Sequence, residues 1–291
     1  PCNRIRQGKL NMSSNNTLLQ VSDVKKTFGE VIALNGVTFD IKPGEVVGLV
    51  GSNGAGKTTL LRLMSGVYYP TSGNVTLGDG TPVHKMREDL GVVPESTGLY
   101  SRLTAWENIR YHSRLYGIDD AVAWKRTLKF AQSLDMEENL SRYTKGFSRG
   151  MRQKTALLRA LAHGPKVLLL DEPTAGLDIT SARTVRALVE QIKQEGGTVV
   201  YSTHQLFEAQ QVCDRIIIIH NGVVKADGSP AELLEETSSD SLEEAYVSLT
   251  QEKARMRFED IQSDSGITRL WHKLFKPKTP YPETLEGESD E

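Results

Sequence analysis

The sequence predicts an α/β protein built on a parallel sheet, with an antiparallel β part and a helical insert. Three observations carry this. Val46–Val50 ("VVGLV") and the core of "KVLLLDEP" are short and wholly apolar, as strands buried on both faces are. Leu18–Asp40 alternates, as in "LLQVSDVKKTF" and "VTFDI", which suits antiparallel strands with one wet face. Between about Leu103 and Ala162 the pattern changes to helical spacing, with few strand signals.

The elements follow in chain order. Residues 1–16 are polar and are expected to be disordered. Lys42–Glu45 ("KPGE") is a turn leading into the first buried strand. Thr58–Ser65 reads as a helix, with Gly66 as its stop. Lys166–Pro173 returns to a buried strand, and Gly196–His204 ("GGTVVYSTH") is another. "DRIIIIHNGVVKADG" reads as a hairpin around Asn221-Gly222. Strand, helix, helical insert, strand, helix, strand implies a parallel sheet. We expect one domain over 17–248, with the helical insert at about 96–162, and a charged tail over 249–291.

Within the tail, Ile267, Leu270, Trp271 and Leu274 fall at i, i+3, i+4 and i+7. This predicts a short basic amphipathic helix over 266–276, ended by Pro277. An anionic membrane surface, a partner subunit and the protein's own core are all open to it. "PETLEGESDE" is an acidic, disordered end.

Composition narrows the class. The 291 residues are 38% hydrophobic, enough for a sizeable core. A net charge of −2 gives no basic field for nucleic acid. Cys2 and Cys213 lie far apart, which fits a reducing compartment and no disulfide framework. No apolar run approaches the ~18 residues that span a bilayer. The first residues lack an apolar core and are not read as a secretory signal. The sequence opens on Pro1, and Met12 is the expected native start.

Gly51-Ser52-Asn53-Gly54-Ala55-Gly56-Lys57-Thr58 fits G-x-x-x-x-G-K-[ST]. Glycines let the backbone curl so that successive N–H groups face an anion. The helix that follows points its positive end at the same place. Lys57 adds a point charge for β- and γ-phosphates, and the Thr58 hydroxyl can ligate Mg²⁺. The loop is read as a holder of a nucleotide triphosphate tail. Downstream, Val167–Leu170 runs into Asp171 and Glu172. The first carboxylate can hold Mg²⁺ through water, and the second can polarise an attacking water.

"DEPTAGLD" (Asp171–Asp178), preceded by "FSRGMRQK" (Phe147–Lys154), resembles the ATP-binding subunit of ABC transporters. The resemblance covers roughly Leu18–Ser248, with the motifs in the family's order. It implies the ABC ATPase fold: a P-loop NTPase core with a parallel sheet, an antiparallel β subdomain and a helical insert. It also implies ATP and Mg²⁺ as cofactors. Gly51 through Thr59 match the Walker A loop. Asp171 matches the Walker B aspartate, Glu172 the catalytic glutamate and Asp178 the D-loop aspartate. His204 matches the switch histidine that contacts the γ-phosphate. Phe28 sits where the family stacks an aromatic on adenine, and a strand-core role is the alternative for it.

Two segments depart from the family pattern. The signature reads Phe147-Ser148-Arg149-Gly150-Met151 where L-S-G-G-Q is common. Ser148 and Gly150 survive, and Ser148 can cap the following helix so that its N–H groups face an anion. Glu95 stands where the family has a glutamine near Mg²⁺, and a glutamate can still ligate the metal or its water. "PESTGLYSRLTAWEN" and "FSRGMRQK" resemble the branch serving sodium-extrusion and multidrug-type exporters. The resemblance thus implies a second ATP-binding subunit, identical or related, and a polytopic membrane subunit at the cytoplasmic face. No nucleic-acid partner is expected. The alternative is a soluble ABC-type ATPase acting as a regulatory, translation-linked or DNA-linked factor. Two such domains in tandem or long coiled coils would mark it, and neither occurs here.

Overall fold

The computed structural model describes residues 17–85 and 87–250. The polar stretch 1–16 and the helix expected over 266–276 lie outside the described residues. Contacts divide the chain into two units after Leu249, and the sheets and their covering helices belong to the first.

The chain opens with β1 (Leu19–Phe28) and β2 (Val31–Ile41), paired antiparallel. Leu19, Val21, Leu34, Val37 and Ile41 are fully buried while their neighbours face water, which is the physical meaning of the alternation. The third strand of this sheet, β4 (Ser72–Leu77), sits beside β1 in the order β2-β1-β4. No strand is expected there from the sequence. Its six residues, SGNVTL, bury only Val75, too few apolar positions to mark a strand.

The second sheet has six strands in the order β5-β6-β7-β3-β8-β9. β3 (Val46–Val50), β6 (Val167–Asp171) and β7 (Thr198–Thr203) are buried at every residue and pair in parallel. β5 (Leu90–Val93), also not expected from the sequence, is only four residues long and completes the parallel edge. On the other side β3 pairs in parallel with β8 (Arg215–His220). β8 turns back into antiparallel β9 (Val223–Gly228). Asn221 and Gly222 both take positive φ, 50° and 74°, as a two-residue turn between twisted strands requires. That turn reaches the site: Gly222 N–H donates to the Ala55 carbonyl at 3.0 Å.

Helices cover this sheet. α1 (Lys57–Met64) begins one residue before the expected Thr58 and ends with Ser65 as its cap. The insert holds α2 (Ala105–Leu115), α3 (Asp120–Ser133) and α4 (Arg149–Leu161). Thr104 and Glu107 form a capping box that fixes the start of α2. α5 (Ile179–Gln194) and α6 (Leu206–Val212) follow β6 and β7. α7 (Pro230–Thr237) starts at a Ser229 capping box, and residues 242–250 are helical again. Two apolar cores result. One joins the antiparallel sheet, α1 and one face of the parallel sheet through Leu34, Leu60 and Ile217. The other joins the opposite face to the insert through Ile109, Leu157 and Val185. Cys213, free and buried in the second core, has its thiol pushed up by burial, which keeps it out of the reactive thiolate form.

Candidate functional site

The site grows from the end of β3. Pairing on both sides by β7 and β8 holds this strand rigid. Residues 51–56 leave it as a loop and enter α1. A side chain at Gly51 would come within 2.3 Å of the Ile219 carbonyl, so only glycine fits there. Gly56 takes φ 109° as the N-cap of α1, a conformation closed to other residues. No side chain caps α1, and its first turn holds no acidic residue. The positive end of the helix is therefore left for an external anion. This uncapped start, with Lys57 beside it, fits a phosphate tail.

Lys57 is nearly buried. Its Nζ donates to the Gly51 carbonyl at 2.7 Å and the Ser52 carbonyl at 3.3 Å. It also lies 3.4 Å from Glu172 Oε1. Glu172 Oε2 is 2.9 Å from His204 Nδ1. A carboxylate accepts, so the proton in this contact is assigned to His204 Nδ1. Lys57, Glu172 and His204 thus form one chain of contacts across the loop. Glu172 holds φ 48°, a left-handed conformation that costs a non-glycine residue on the order of 1–3 kcal/mol. Its N–H is kept there by the Ser202 hydroxyl at 3.1 Å and the Ser202 carbonyl at 3.2 Å.

Asp171 ends β6 inside the fold. Its Oδ1 accepts from Ser202 Oγ at 2.8 Å and Thr58 Oγ1 at 3.2 Å. Thr58, Asp171 and Glu95 offer oxygen donors only, the set a hard divalent cation takes. Among the described residues no group of three or more His, Cys, Asp or Glu stands ready for a metal. Phosphate oxygens and water would have to supply the rest of a Mg²⁺ shell.

A cleft of about 440 Å³ opens over the loop. It is lined by Ser52 through Thr59 and, opposite, by Glu95, Glu172, Ala175 and His204. Of the sequence-predicted residues, Ser52 through Thr59, Glu95, Glu172 and His204 therefore converge on this cleft, with Asp171 behind Thr58 through its hydrogen bond. Phe28 does not line this cleft. Its ring is half exposed, meets Tyr68 edge-on at 5.6 Å and has Lys26 Nζ 5.0 Å away. Val31 and Ile32, exposed at the start of β2, occupy the apolar end instead. Nothing in their sequence context sets them apart from other strand residues.

Ser148, Gly150 and Asp178 gather elsewhere. Ser148 Oγ caps α4 by accepting from Met151 N–H at 3.2 Å. Asp178 caps α5, accepting from Ser181 N–H at 2.9 Å and Ser181 Oγ at 2.7 Å. These bonds, the backbone one first, hold its carboxyl below the usual range. A side chain at Gly150 would come within 2.6 Å of Ser181 Oγ, so the two helix starts rest on one another. Arg149 lies against Gly176, and Met151 packs into the core beneath α4. None of these lines the cleft.

Two supports carry almost no mark in the sequence. Ser202 bridges Asp171 and Glu172, and its only trace is its place in "VVYSTH". Glu208, buried, accepts from Thr174 Oγ1 at 2.7 Å and Thr203 Oγ1 at 3.3 Å, and pairs with Arg186 at 3.4 Å. That network ties the segment carrying His204 to the one following Glu172. A glutamate in "LFEAQQV" reads as a solvated helix charge until the fold buries it.

A glycine-rich loop between a central parallel strand and an uncapped helix, faced by Asp171 and Glu172, defines a P-loop nucleotide hydrolase. Comparison with known proteins sharpens this. The "ABC transporter" family model matches residues 34–175. The chain is 39% identical over 240 residues to "ABC transporter ATP-binding protein NatA" of Bacillus subtilis (strain 168), covering 79% of this chain and 97% of that protein. It is 34% identical over 220 residues to "Nod factor export ATP-binding protein I" of Ralstonia nicotianae (strain ATCC BAA-1114 / GMI1000), covering 75% of this chain and 68% of that protein. Among solved structures, it superposes on the dimeric ATP-binding cassette MJ0796, in a post-hydrolysis state bound to ADP and Pi, with a TM-score of 0.67. That match is 28% identical and covers 73% of this chain and 98% of the other. The chain belongs to the ATP-binding subunits of ABC transporters, and it is an ATP-hydrolysing cassette.

Proposed function

We propose that this chain is the motor of an exporter. It hydrolyses ATP at the cytoplasmic face of the membrane and drives a separate polytopic subunit by closing and reopening a dimer. Export is supported by the Nod factor export relative. A separate membrane subunit is supported by the similarity to proteins described as an ATP-binding subunit or ATP-binding protein of an ABC transporter. Tyr100 and Tyr111, exposed and edge-on at 5.6 Å beside α2, offer that subunit an apolar surface on the insert. The domain is taken as 17–248, with 249–291 as a tail.

The observation that carries the proposal is the separation of two half-sites. The phosphate loop, Glu172 and His204 share one cleft, while Ser148 and Gly150 stand at the start of α4 outside it. Two chains head to tail would place each signature serine over the other's loop. Arg149 then brings positive charge toward the triphosphate. Within each site Glu172 polarises the attacking water, and the Glu172–His204 contact lets His204 report the γ-phosphate. Thr58, Asp171 and Glu95, together with phosphate oxygens and water, would hold Mg²⁺, which would supply charge neutralisation there. The γ-phosphate then bridges the two chains, and its loss reopens the dimer.

Glu172→Gln keeps the shape of the site and removes the base. The variant is expected to retain ATP binding, lose turnover by about 10²-fold or more, and run as a dimer with ATP but not with ADP. A monomer at every ATP concentration in sedimentation would remove the dimer mechanism. Co-purification from detergent extracts with a polytopic membrane protein tests the transport reading.

A further inference from the structure

The helix at 242–250 is held to the fold by Leu242 and Ala245, both fully buried. Tyr246 and Leu249 pack partly buried against the same core. From this helix the Tyr246 hydroxyl accepts a hydrogen bond from Ser52 N–H at 3.0 Å. The two residues are 194 positions apart in sequence. Tyr246 shares a cavity of about 320 Å³ with Gly51, Ser52, Asn53, His204 and Leu206. It thus touches the arm of the loop on the side away from α1 and borders the segment that carries His204.

We propose that Tyr246 is a positioning residue for ATP. Its hydroxyl pins the first arm of the phosphate loop and makes nucleotide affinity depend on the docked helix at 242–250. The inner arm is already tied: Ala55 N–H donates to the Ser52 carbonyl at 3.1 Å, and Gly222 N–H to the Ala55 carbonyl at 3.0 Å. For the N–H of Ser52, the bond to Tyr246 is the corresponding tie. A loop held in its binding shape loses less freedom when a ligand arrives. Tyr246 makes no contact with the reacting atoms in this scheme, so its effect belongs in affinity rather than in the chemical step. The inference rests on ATP occupying the Gly51–Thr58 loop.

The test compares the full-length chain with Tyr246→Phe and Tyr246→Leu, using MgATP in calorimetry, steady-state turnover and amide exchange. Tyr246→Phe removes the hydroxyl and keeps the ring, so the melting temperature should stay near that of the wild type. We expect KM and Kd for ATP to rise about three- to tenfold, the weight of one neutral hydrogen bond. kcat should change by less than twofold, and exchange should quicken at residues 51–56. Should Tyr246→Phe bind ATP as the wild type does, while only Tyr246→Leu weakens, the ring's packing is what matters and the inference is overturned. An equal fall in kcat and kcat/KM would overturn it too, by placing the effect in the chemical step. Wild-type chain that takes up no MgATP would instead sink the reading of the loop itself.

Discussion

Glu172 shows how one residue is held for its task by others. Left-handed backbone, a 2.9 Å contact to His204 and a 3.4 Å contact to Lys57 leave its carboxylate little freedom. Ser202 underwrites this, because its hydroxyl serves Asp171 and Glu172 at once. Ser202→Ala removes both bonds without adding bulk. We expect kcat/KM for ATP to fall about tenfold, matching roughly 1–2 kcal/mol of lost hydrogen bonding, and the Mg²⁺ needed for half-maximal rate to rise. A Mg²⁺ titration that superposes on that of the wild type would show that Ser202 does not orient Asp171. The loop and both carboxylates are legible in the sequence, because their spacing and neighbours are local. Ser202 and Glu208 are not, since their partners arrive from 31 and 34 positions away.

At the scale of elements, the insert carries a buried ionisable cluster. His112 of α2 neighbours Tyr116 at 5.2 Å and His163 at 6.2 Å, and Tyr116 stacks on His163 at 4.2 Å. The Nδ1 atoms of His112 and His163 are buried without hydrogen-bond partners. Arg159 of α4, beside them, donates to the Thr97 and Gly98 carbonyls at 2.7 and 3.1 Å, so it holds the segment after Glu95. Burial, with Arg159 and His163 adding, pulls His112 down to about 4. Burial also lowers His163, against the pull of its bond to the Leu90 carbonyl. The folded value lies below the unfolded one near 6.5, so the unfolded chain takes up the proton first. Stability from a neutral His112 is complete above about pH 6.5 and is lost as pH falls through about 4. Melting temperature should therefore drop between pH 7 and pH 5, and His112→Phe should flatten part of that slope. Parallel curves for the two proteins would show that His112 is not the group responsible.

For the whole molecule, the proposed mechanism turns on Ser148 and Gly150 lying outside the cleft that the phosphate loop lines, as two half-sites in one chain. This predicts complementation. Lys57→Ala destroys the loop half and Ser148→Arg the signature half, so each variant alone should hydrolyse ATP at a small fraction of the normal rate. Mixed together they should recover turnover, because a mixed dimer contains one intact loop facing one intact signature. A mixture no faster than its components would mean that each chain completes its own site.

Spacing along the chain determined the phosphate loop, the Asp171–Glu172 pair, the hairpin at Asn221-Gly222 and the cap at Ser148. These are near-neighbour matters, fixed by which residues allow positive φ, which offer a capping oxygen and which are apolar throughout. Tertiary structure alone decided that β4 and β5 join the sheets, that Val31 and Ile32 rather than Phe28 line the cleft, and that Ser202, Glu208 and Tyr246 support the site. Those outcomes depend on packing and hydrogen bonds between segments remote in sequence. A short strand or a lone hydroxyl carries no local pattern until the fold supplies its partner.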